Sequence, residues 1–95
     1  LEPADRSVVV EGRAIHLTPK EFDLCQLLIR HAGRVLTHRY ILTNVWGPEY
    51  ADDGHVLRTL VYQLRSKLGT VSPDAARQIV AEPAVGYRLI AADRG

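Results

Sequence analysis

Cysteine is almost absent from this sequence, and so are long apolar runs. The single thiol, Cys25, has no second cysteine with which to form an internal disulfide, so we expect a reducing, cytoplasmic compartment. No apolar run approaches the roughly 18 residues that a membrane helix needs. The first residues, "LEPADRSVVVEG", also lack a basic stretch followed by an apolar core. We therefore expect no membrane segment and no export signal.

The residue clusters that metal sites and active sites require are missing as well. The four histidines, at positions 16, 31, 38 and 55, do not show a metal-ligand spacing such as His-x3-His, and there is no cysteine pair. Cys25 lies among leucines, which is typical of a buried, inert thiol and not of a nucleophile. Asp52 and Asp53 are better explained as helix caps than as a catalytic pair. With no glycine-rich phosphate loop either, we predict no catalytic residue, metal or cofactor.

The length and composition fit one soluble globular domain. Ninety-five residues are enough for a single domain with a modest core, so we assign residues 1–95 to one domain. The composition, 46% apolar and 24% charged, is ordinary for such a domain. The opening "LEPADR" has no start signal of its own. We therefore expect Leu1 to be the end of an earlier strand, in a chain cut from a longer protein.

Charge is distributed unevenly, although the net charge is only +1. Residues 54–73 contain Arg58, Arg65 and Lys67 and no acidic residue to offset them. This predicts a locally basic surface that suits a polyanion. The alternative is an ordinary solvated helix face, but such faces usually mix both signs to gain pairs four residues apart.

The first half of the chain contains clear start and stop signals. Residues 7–17 are two β-prone runs around Glu11-Gly12, which predicts a hairpin. Thr18-Pro19-Lys20-Glu21 then combines a cap, a first-turn proline and a capping box, and this first helix should end at Ala32-Gly33. Residues 35 and 36 make an extended link. Thr37 caps a second, shorter helix, which Gly47-Pro48 stops.

The second half begins with an acidic loop, "GPEYADD", after which Asp52 or Asp53 should cap a third helix, "GHVLRTLVYQLRSKL". At about 100° per residue, its apolar residues form one stripe: Leu57, Leu60, Val61, Leu64 and Leu68. The next segment, "GTVSPDAAR", is predicted to be a loop. "QIVAE" and "GYRLI" are alternating strands joined across residues 83–85. The order is hairpin, three helices, hairpin, and the fold class is α+β.

The polar face of the third helix points to DNA. An α-helix fits the major groove of B-form DNA, where arginine, glutamine, threonine and tyrosine can bond to base edges or phosphates. Arg58, Tyr62 and Arg65 share one line along the helix, and Thr59 and Gln63 flank it. The competing hypothesis is a winged-helix module whose polar face binds a protein.

Five motifs occur in order along the chain: L-T-P-x-E-F at 17–22, V-L-T at 35–37, V-W-G at 45–47, L-R-x-K-L at 64–68 and G-Y-R at 86–88. Together they resemble the DNA-binding effector domain of the OmpR/PhoB family of two-component response regulators, from about residue 15 to residue 90. "VWGPEY" and "HVLRTLVYQLRSKL" look most like the KdpE branch, which regulates potassium-uptake operons.

The resemblance implies a winged helix with an N-terminal antiparallel sheet, preceded by a receiver domain that is absent here. Residues 54–67 match the recognition helix and residues 79–90 match the wing. It also implies a tandem homodimer on direct repeats of promoter DNA and a sensor kinase that acts through the receiver. The candidate DNA contacts are Trp46, His55, Arg58, Thr59, Tyr62, Gln63, Arg65, Tyr87 and Arg88. The loop at about 46–53 matches one that contacts RNA polymerase in some members, and its candidate contacts are Glu49, Tyr50, Asp52 and Asp53.

The sequence departs from the PhoB branch at three positions. Pro83 stands where a PhoB-like wing has an arginine that enters the minor groove, Gln63 replaces a second arginine, and Leu60 replaces a histidine that contacts the DNA backbone. The base preference of that branch therefore does not carry over.

Overall fold

The computed structural model describes residues 2–4 and 7–90, with side-chain burial for residues 7–90. A 3₁₀ turn, Pro48–Tyr50, precedes the longest helix. The elements in chain order are β1 Glu2–Ala4, β2 Ser7–Val10, β3 Arg13–His16, α1 Pro19–Arg30, β4 Leu36–Thr37, α2 His38–Val45, α3 Gly54–Val71, α4 Pro73–Arg77, β5 Ile79–Glu82 and β6 Gly86–Leu89. The predicted α+β class is confirmed. The hypothesis that Leu1 continues an earlier strand lies outside the described residues.

The N-terminal sheet has the order β1-β2-β3 and is antiparallel. Val10 pairs with Arg13, so only Glu11 and Gly12 form the β2–β3 turn. Both turn residues have positive φ, 51° and 79°, as a type I′ turn requires. The predicted hairpin at residues 7–17 is confirmed.

Helix α1 begins as the sequence predicts. The Thr18 amide donates to Glu21 Oε1 at 2.9 Å, and the Glu21 amide donates to Thr18 Oγ1 at 3.3 Å, which completes the capping box. Cys25 is 2% exposed on the buried face. Burial raises the pKa of its thiol to about 11, and the prediction that the thiol is buried is confirmed.

Glu21 has a second role that connects α1 to α3. Lys67 Nζ lies 2.6 Å from Glu21 Oε1, and the Glu21 side chain is only 3% exposed. Burial alone would raise the pKa of this carboxyl, but hydrogen bonds from Lys67 and Thr18 and the Lys67 charge outweigh burial and lower the pKa. The expectation that no acid offsets the charge of Lys67 is therefore wrong, because its partner lies 46 residues away in sequence.

The start of α3 also differs from the prediction. Asp53 occupies the cap position, but its side chain makes no capping hydrogen bond. Asp52 pairs instead with Arg39 of α2 at 2.9 Å. Thr37, by contrast, caps α2 as predicted, accepting from the Tyr40 amide at 3.1 Å.

The segment after α3 was predicted to be a loop, and this is wrong. Helix α3 continues to Val71, and α4 begins two residues later. The Ser72 hydroxyl accepts from the Ala75 amide at 3.2 Å, and Pro73 occupies the first helical position. Serine followed by proline is a helix-start signal. The helix is only five residues long, too short to show an apolar period.

The C-terminal hairpin is part of a three-stranded sheet of order β4-β6-β5. The extended link predicted at residues 35 and 36 thus pairs with the wing, with Leu36 opposite Tyr87 and Thr37 opposite Gly86. The two backbones approach so closely at Gly86 that an added Cβ would lie 1.8 Å from the Leu36 carbonyl oxygen. The glycine of the G-Y-R motif is therefore required for the wing to join the helices.

Replacing Gly86 with alanine should destabilise the domain by about 3 kcal/mol or more, because a backbone carbonyl cannot move aside as a flexible side chain can. Gly69→Ala is the matched control: its Cβ would meet Ala76 Cβ at an ordinary 3.7 Å. This helical substitution should stabilise by about 0.5 to 1 kcal/mol. Urea unfolding measures both. Equal effects of the two variants would contradict the close approach.

Replacing Lys67 with glutamine should cost about 2 kcal/mol at about pH 7, because Glu21 would keep a buried charge without its partner. The ionised Glu21 stabilises the wild type above its ordinary pKa of 4.5, and this stabilisation is lost as pH falls through the lowered folded-state pKa. The variant's deficit should therefore shrink toward about pH 3.

Urea unfolding at a series of pH values measures this deficit. Arg77→Gln is the control, since its pair with Asp74 is largely exposed. Its removal should cost less than about 0.5 kcal/mol at every pH. A Lys67→Gln deficit that is independent of pH would contradict the role of the Glu21 charge.

Candidate nucleic-acid interface

Helix α3 forms a ridge whose inner side is the core. The predicted apolar stripe is fully confirmed: each of its five residues is no more than 6% exposed. On the outer side, His55, Arg58, Thr59 and Gln63 are exposed. Tyr62 is 72% exposed at the crest. A phenol left this far out of a well-packed domain is available for contact with another molecule.

A cleft of about 340 Å³, here called the wing-side cleft, lies between α2, α3 and β6. Its polar lining consists of His38, Arg39, Asp52, Arg58 and Tyr87. The His38 ring meets the Tyr87 ring edge-on at 5.6 Å. Arg39 and Asp52 have side-chain exposures of 70% and 90%, so their ion pair is weak and easily exchanged for another partner.

A second cleft of about 350 Å³, here called the α1-side cleft, lies on the other flank of α3. It brings together four predicted site residues, Trp46, His55, Thr59 and Gln63, with Lys20 of α1. Trp46 is half-buried against the core, and its ring lies 6.5 Å from the Tyr50 ring.

The two clefts place cations on both sides of one protruding helix. A step of about 100° per residue puts Arg58 and Gln63 about 140° apart around α3, so each faces a different cleft. A helix in the major groove has a phosphate backbone on each side and base edges in front. The arrangement can therefore contact two backbones and a row of bases at once.

Arg65 is not a free side chain on this ridge. Its Nε and Nη2 donate to the Ile79 carbonyl oxygen at 3.1 and 2.6 Å, and the side chain is half-buried. The guanidinium thus ties α3 to the first residue of β5. Its predicted role as a DNA contact stays a prediction, but the geometry gives Arg65 a structural role that the sequence did not show.

The predicted wing contacts lie at the base of the wing. Tyr87 is 8% exposed and packs in the core, so any contact must be made through the part that lines the wing-side cleft. Arg88 pairs with Glu82 at 2.9 Å, and its buried Nε has no hydrogen-bond partner among the residues that the structure describes. The turn above them, residues 83–85, is exposed and carries no cation.

The acidic loop is exposed. Tyr50 is 38% exposed, and Glu49, Asp52 and Asp53 are exposed as well. Gly47, with φ of 133°, caps the start of the 3₁₀ turn, and a Cβ there would lie 2.9 Å from Glu49 Oε1. The loop joins the wing-side cleft at Asp52.

Sequence analysis missed three polar residues of the two clefts: the cations Lys20 and Arg39, and His38. Each lies in the first turn of a helix that was correctly predicted. The signal was present, since each follows a capping threonine. A single sequence does not tell which helix starts face the ridge.

Among the described residues, no group of three or more possible metal ligands occurs, and no helix is long and apolar enough to cross a membrane.

Residues 12–89 match the family model described as "Transcriptional regulatory protein, C terminal". The chain belongs to this family, which is of the OmpR/PhoB type. Its relatives include KdpE of Mycobacterium tuberculosis, 36% identical over 86 residues, and KdpE of Escherichia coli, 42% identical over 76 residues. ResD of Bacillus subtilis is 38% identical over 82 residues. These alignments cover 90%, 80% and 86% of this chain but only 38%, 33% and 34% of the relatives, so the chain spans little more than a third of their length.

Solved structures confirm the winged-helix fold. The DNA-binding domain of B. subtilis CssR matches with a TM-score of 0.73 and 38% identity, over 88% of this chain and 90% of that one. The DNA-binding domain of E. coli CpxR has a TM-score of 0.78 at 25% identity, over 93% and 85%. The Klebsiella pneumoniae RstA DNA-binding domain, in complex with the RstA box, has 0.76 at 26%, over 94% and 87%.

Arg65→Ala should lower the free energy of unfolding by about 1 to 3 kcal/mol, because the Ile79 carbonyl would lose a charged donor. Arg58→Ala is the matched control on the same helix. Arg58 is exposed and makes no hydrogen bond or ion pair among residues 7–90, so its loss should stay within about 0.5 kcal/mol. Urea unfolding of both variants measures the difference. An Arg65→Ala domain as stable as Arg58→Ala would show that the contact to β5 contributes nothing.

Proposed function

We propose that the chain binds double-stranded DNA in a sequence-specific way, as the effector domain of a two-component response regulator. The observation that carries this proposal is the α3 ridge with a cation-bearing cleft on each flank. A groove-bound helix needs this distribution, whereas a helix that docks on one protein surface has no need of cations on both sides. The likeness to the CssR, CpxR and RstA DNA-binding domains supports it.

The residues of the ridge divide by position. Arg58 and Thr59, near the start of α3, and Gln63 one turn further on suit base edges in the major groove. Trp46 and His55 suit the phosphates on the α1 side. Tyr62 stands at the crest, where it can reach either.

We expect the wing to contribute less to base reading than α3 does. Residues 83–85 carry no charge, whereas a narrow minor groove favours an inserted arginine. Tyr87 and Arg88 would act from the base of the wing, and Arg65 would hold β5 against α3. Specificity then depends mostly on α3.

The alternative is a winged-helix module that binds a protein. Salt dependence separates the two: displacement of counterions by phosphate contacts makes log affinity fall linearly with log salt, with a slope near −0.9 per contact. If the chain bound neither a selected site nor a random duplex with this salt dependence, the protein-binding alternative would be favoured.

Arg58→Ala should cost about 1 to 3 kcal/mol on the selected site and much less on random duplex, because a base-reading arginine adds little to binding that depends on phosphates alone. Arg77→Ala is the control: it removes the same charge from α4, away from both clefts. It should leave both affinities unchanged. Titration of the two duplexes at fixed salt measures the effect. Equal losses on both duplexes would make Arg58 a phosphate contact instead.

The acidic loop suits a partner other than DNA. Glu49, Asp52 and Asp53 would be repelled by phosphates, and with Tyr50 they offer charge and apolar area to a basic protein surface. We assign this surface to RNA polymerase, as the family resemblance implies. Its exposure supports the assignment.

Glu49→Ala combined with Tyr50→Ala should leave operator affinity unchanged and reduce transcription activation, because the loop faces the partner and not the DNA. Operator titration and in vitro transcription with the full-length regulator measure the two effects separately. A double variant that binds and activates normally would remove the loop from this role.

The assignments that concern the whole regulator depend on relatives that are longer than this chain. The chain spans little more than a third of them, which leaves room for the receiver domain that a sensor kinase would phosphorylate. A tandem homodimer on promoter direct repeats and a cytoplasmic location belong to the same proposal. Control of potassium-uptake genes is supported by the two KdpE relatives, one of them described as the KDP operon regulator.

A further inference from the structure

Lys20 occupies a distinctive position in the α1-side cleft. It lies in the first turn of α1, yet its Nζ donates to the Val45 carbonyl oxygen at 2.8 Å. The same Nζ lies 5.9 Å from the centre of the Trp46 ring. Three residues of the α3 ridge, His55, Thr59 and Gln63, line this cleft with it.

The Val45 contact fixes the position of the ammonium but leaves part of its hydrogen-bonding capacity unused. Val45 is the last residue of α2, where carbonyl groups have no intrahelical partner and the helix dipole is negative. An ammonium has three N–H donors, and this contact uses one. Two donors remain, on a side chain whose freedom is already reduced, so less entropy is lost when an anion binds.

Among residues 7–90, no acidic side chain forms an ion pair with this ammonium. The lining of the α1-side cleft contains no carboxylate. The neighbouring acid in sequence, Glu21, is turned inward, where its carboxylate is engaged by Lys67 and by the Thr18 amide. The buried pair between α1 and α3 therefore leaves Lys20, beside Trp46 and His55, without an ion-pair partner among residues 7–90.

We propose that Lys20 is a phosphate-binding residue that contacts the DNA backbone on the α1 side of α3. The inference depends on the proposed DNA binding and deepens it. With Lys20 on one flank and Arg39 on the other, the ridge has a cation for each strand of the duplex. The residue serves affinity and orientation and does not read bases.

The test compares Lys20→Gln with Arg30→Gln, which removes one positive charge from the far end of the same helix, outside both clefts. Affinity is measured on a selected duplex and on a random duplex at several salt concentrations. Lys20→Gln should reduce the steepness of the log affinity against log salt plot by about 0.9 on both duplexes. At about 0.15 M salt this amounts to a loss of about fivefold. Arg30→Gln should keep the wild-type slope.

Two further measurements separate binding from stability. Lys20→Arg keeps the charge and should keep the slope, while thermal unfolding of all three variants reports the cost of losing the Val45 contact. A Lys20→Gln domain of lowered stability but wild-type salt slope would overturn the inference and leave the proposed function standing. A wild-type chain whose duplex binding does not depend on salt would overturn both.

Discussion

The contact on which the functional surface depends is the close approach of β4 to β6 at Gly86. An added Cβ would lie 1.8 Å from the Leu36 carbonyl oxygen, so only glycine lets the two backbones pair. Because α2 begins at the residue that follows β4, this pairing also sets where His38 stands relative to Tyr87. The wing, α2 and α3 are thereby held as the three walls of the wing-side cleft. If the wing were attached less closely, the wing-side cleft would lose one of its walls, and only the α1-side flank of α3 would remain structured.

The cations of the domain divide into two groups with different physical roles. Lys67 and Arg65 belong to the basic stretch of α3, but each is engaged within the protein, by the Glu21 carboxylate and the Ile79 carbonyl oxygen. Arg58 and Lys20 remain on the surface, one beside each cleft. The number of positive charges in a sequence window is therefore a poor guide to its binding surface. What matters is which cations the fold leaves exposed, since a half-buried cation such as Lys67 or Arg65 is less able to approach a phosphate.

The acidic loop and the proposed DNA-binding surface meet at a weak contact. Asp52 belongs to the loop, and Arg39 belongs to the wing-side cleft, yet the two form an ion pair in which both side chains are largely exposed. Exposed pairs of this kind contribute little to stability and can exchange partners at small cost. The two surfaces can thus bind different partners, and a change at one surface has only a small effect on the other.

The sequence by itself determined what depends on neighbours within a few positions. The capping box at Thr18, the turn at Glu11-Gly12, the leucine stripe of α3 and the strands of the wing all follow from local spacing, because caps, turns and helix faces are formed by residues one to four positions apart. The five spaced motifs likewise indicated the family. Only the tertiary structure decided which charges are free. The Lys67–Glu21 pair spans 46 residues and the Lys20–Val45 contact spans 25, and no local pattern encodes a contact made when distant helices pack together.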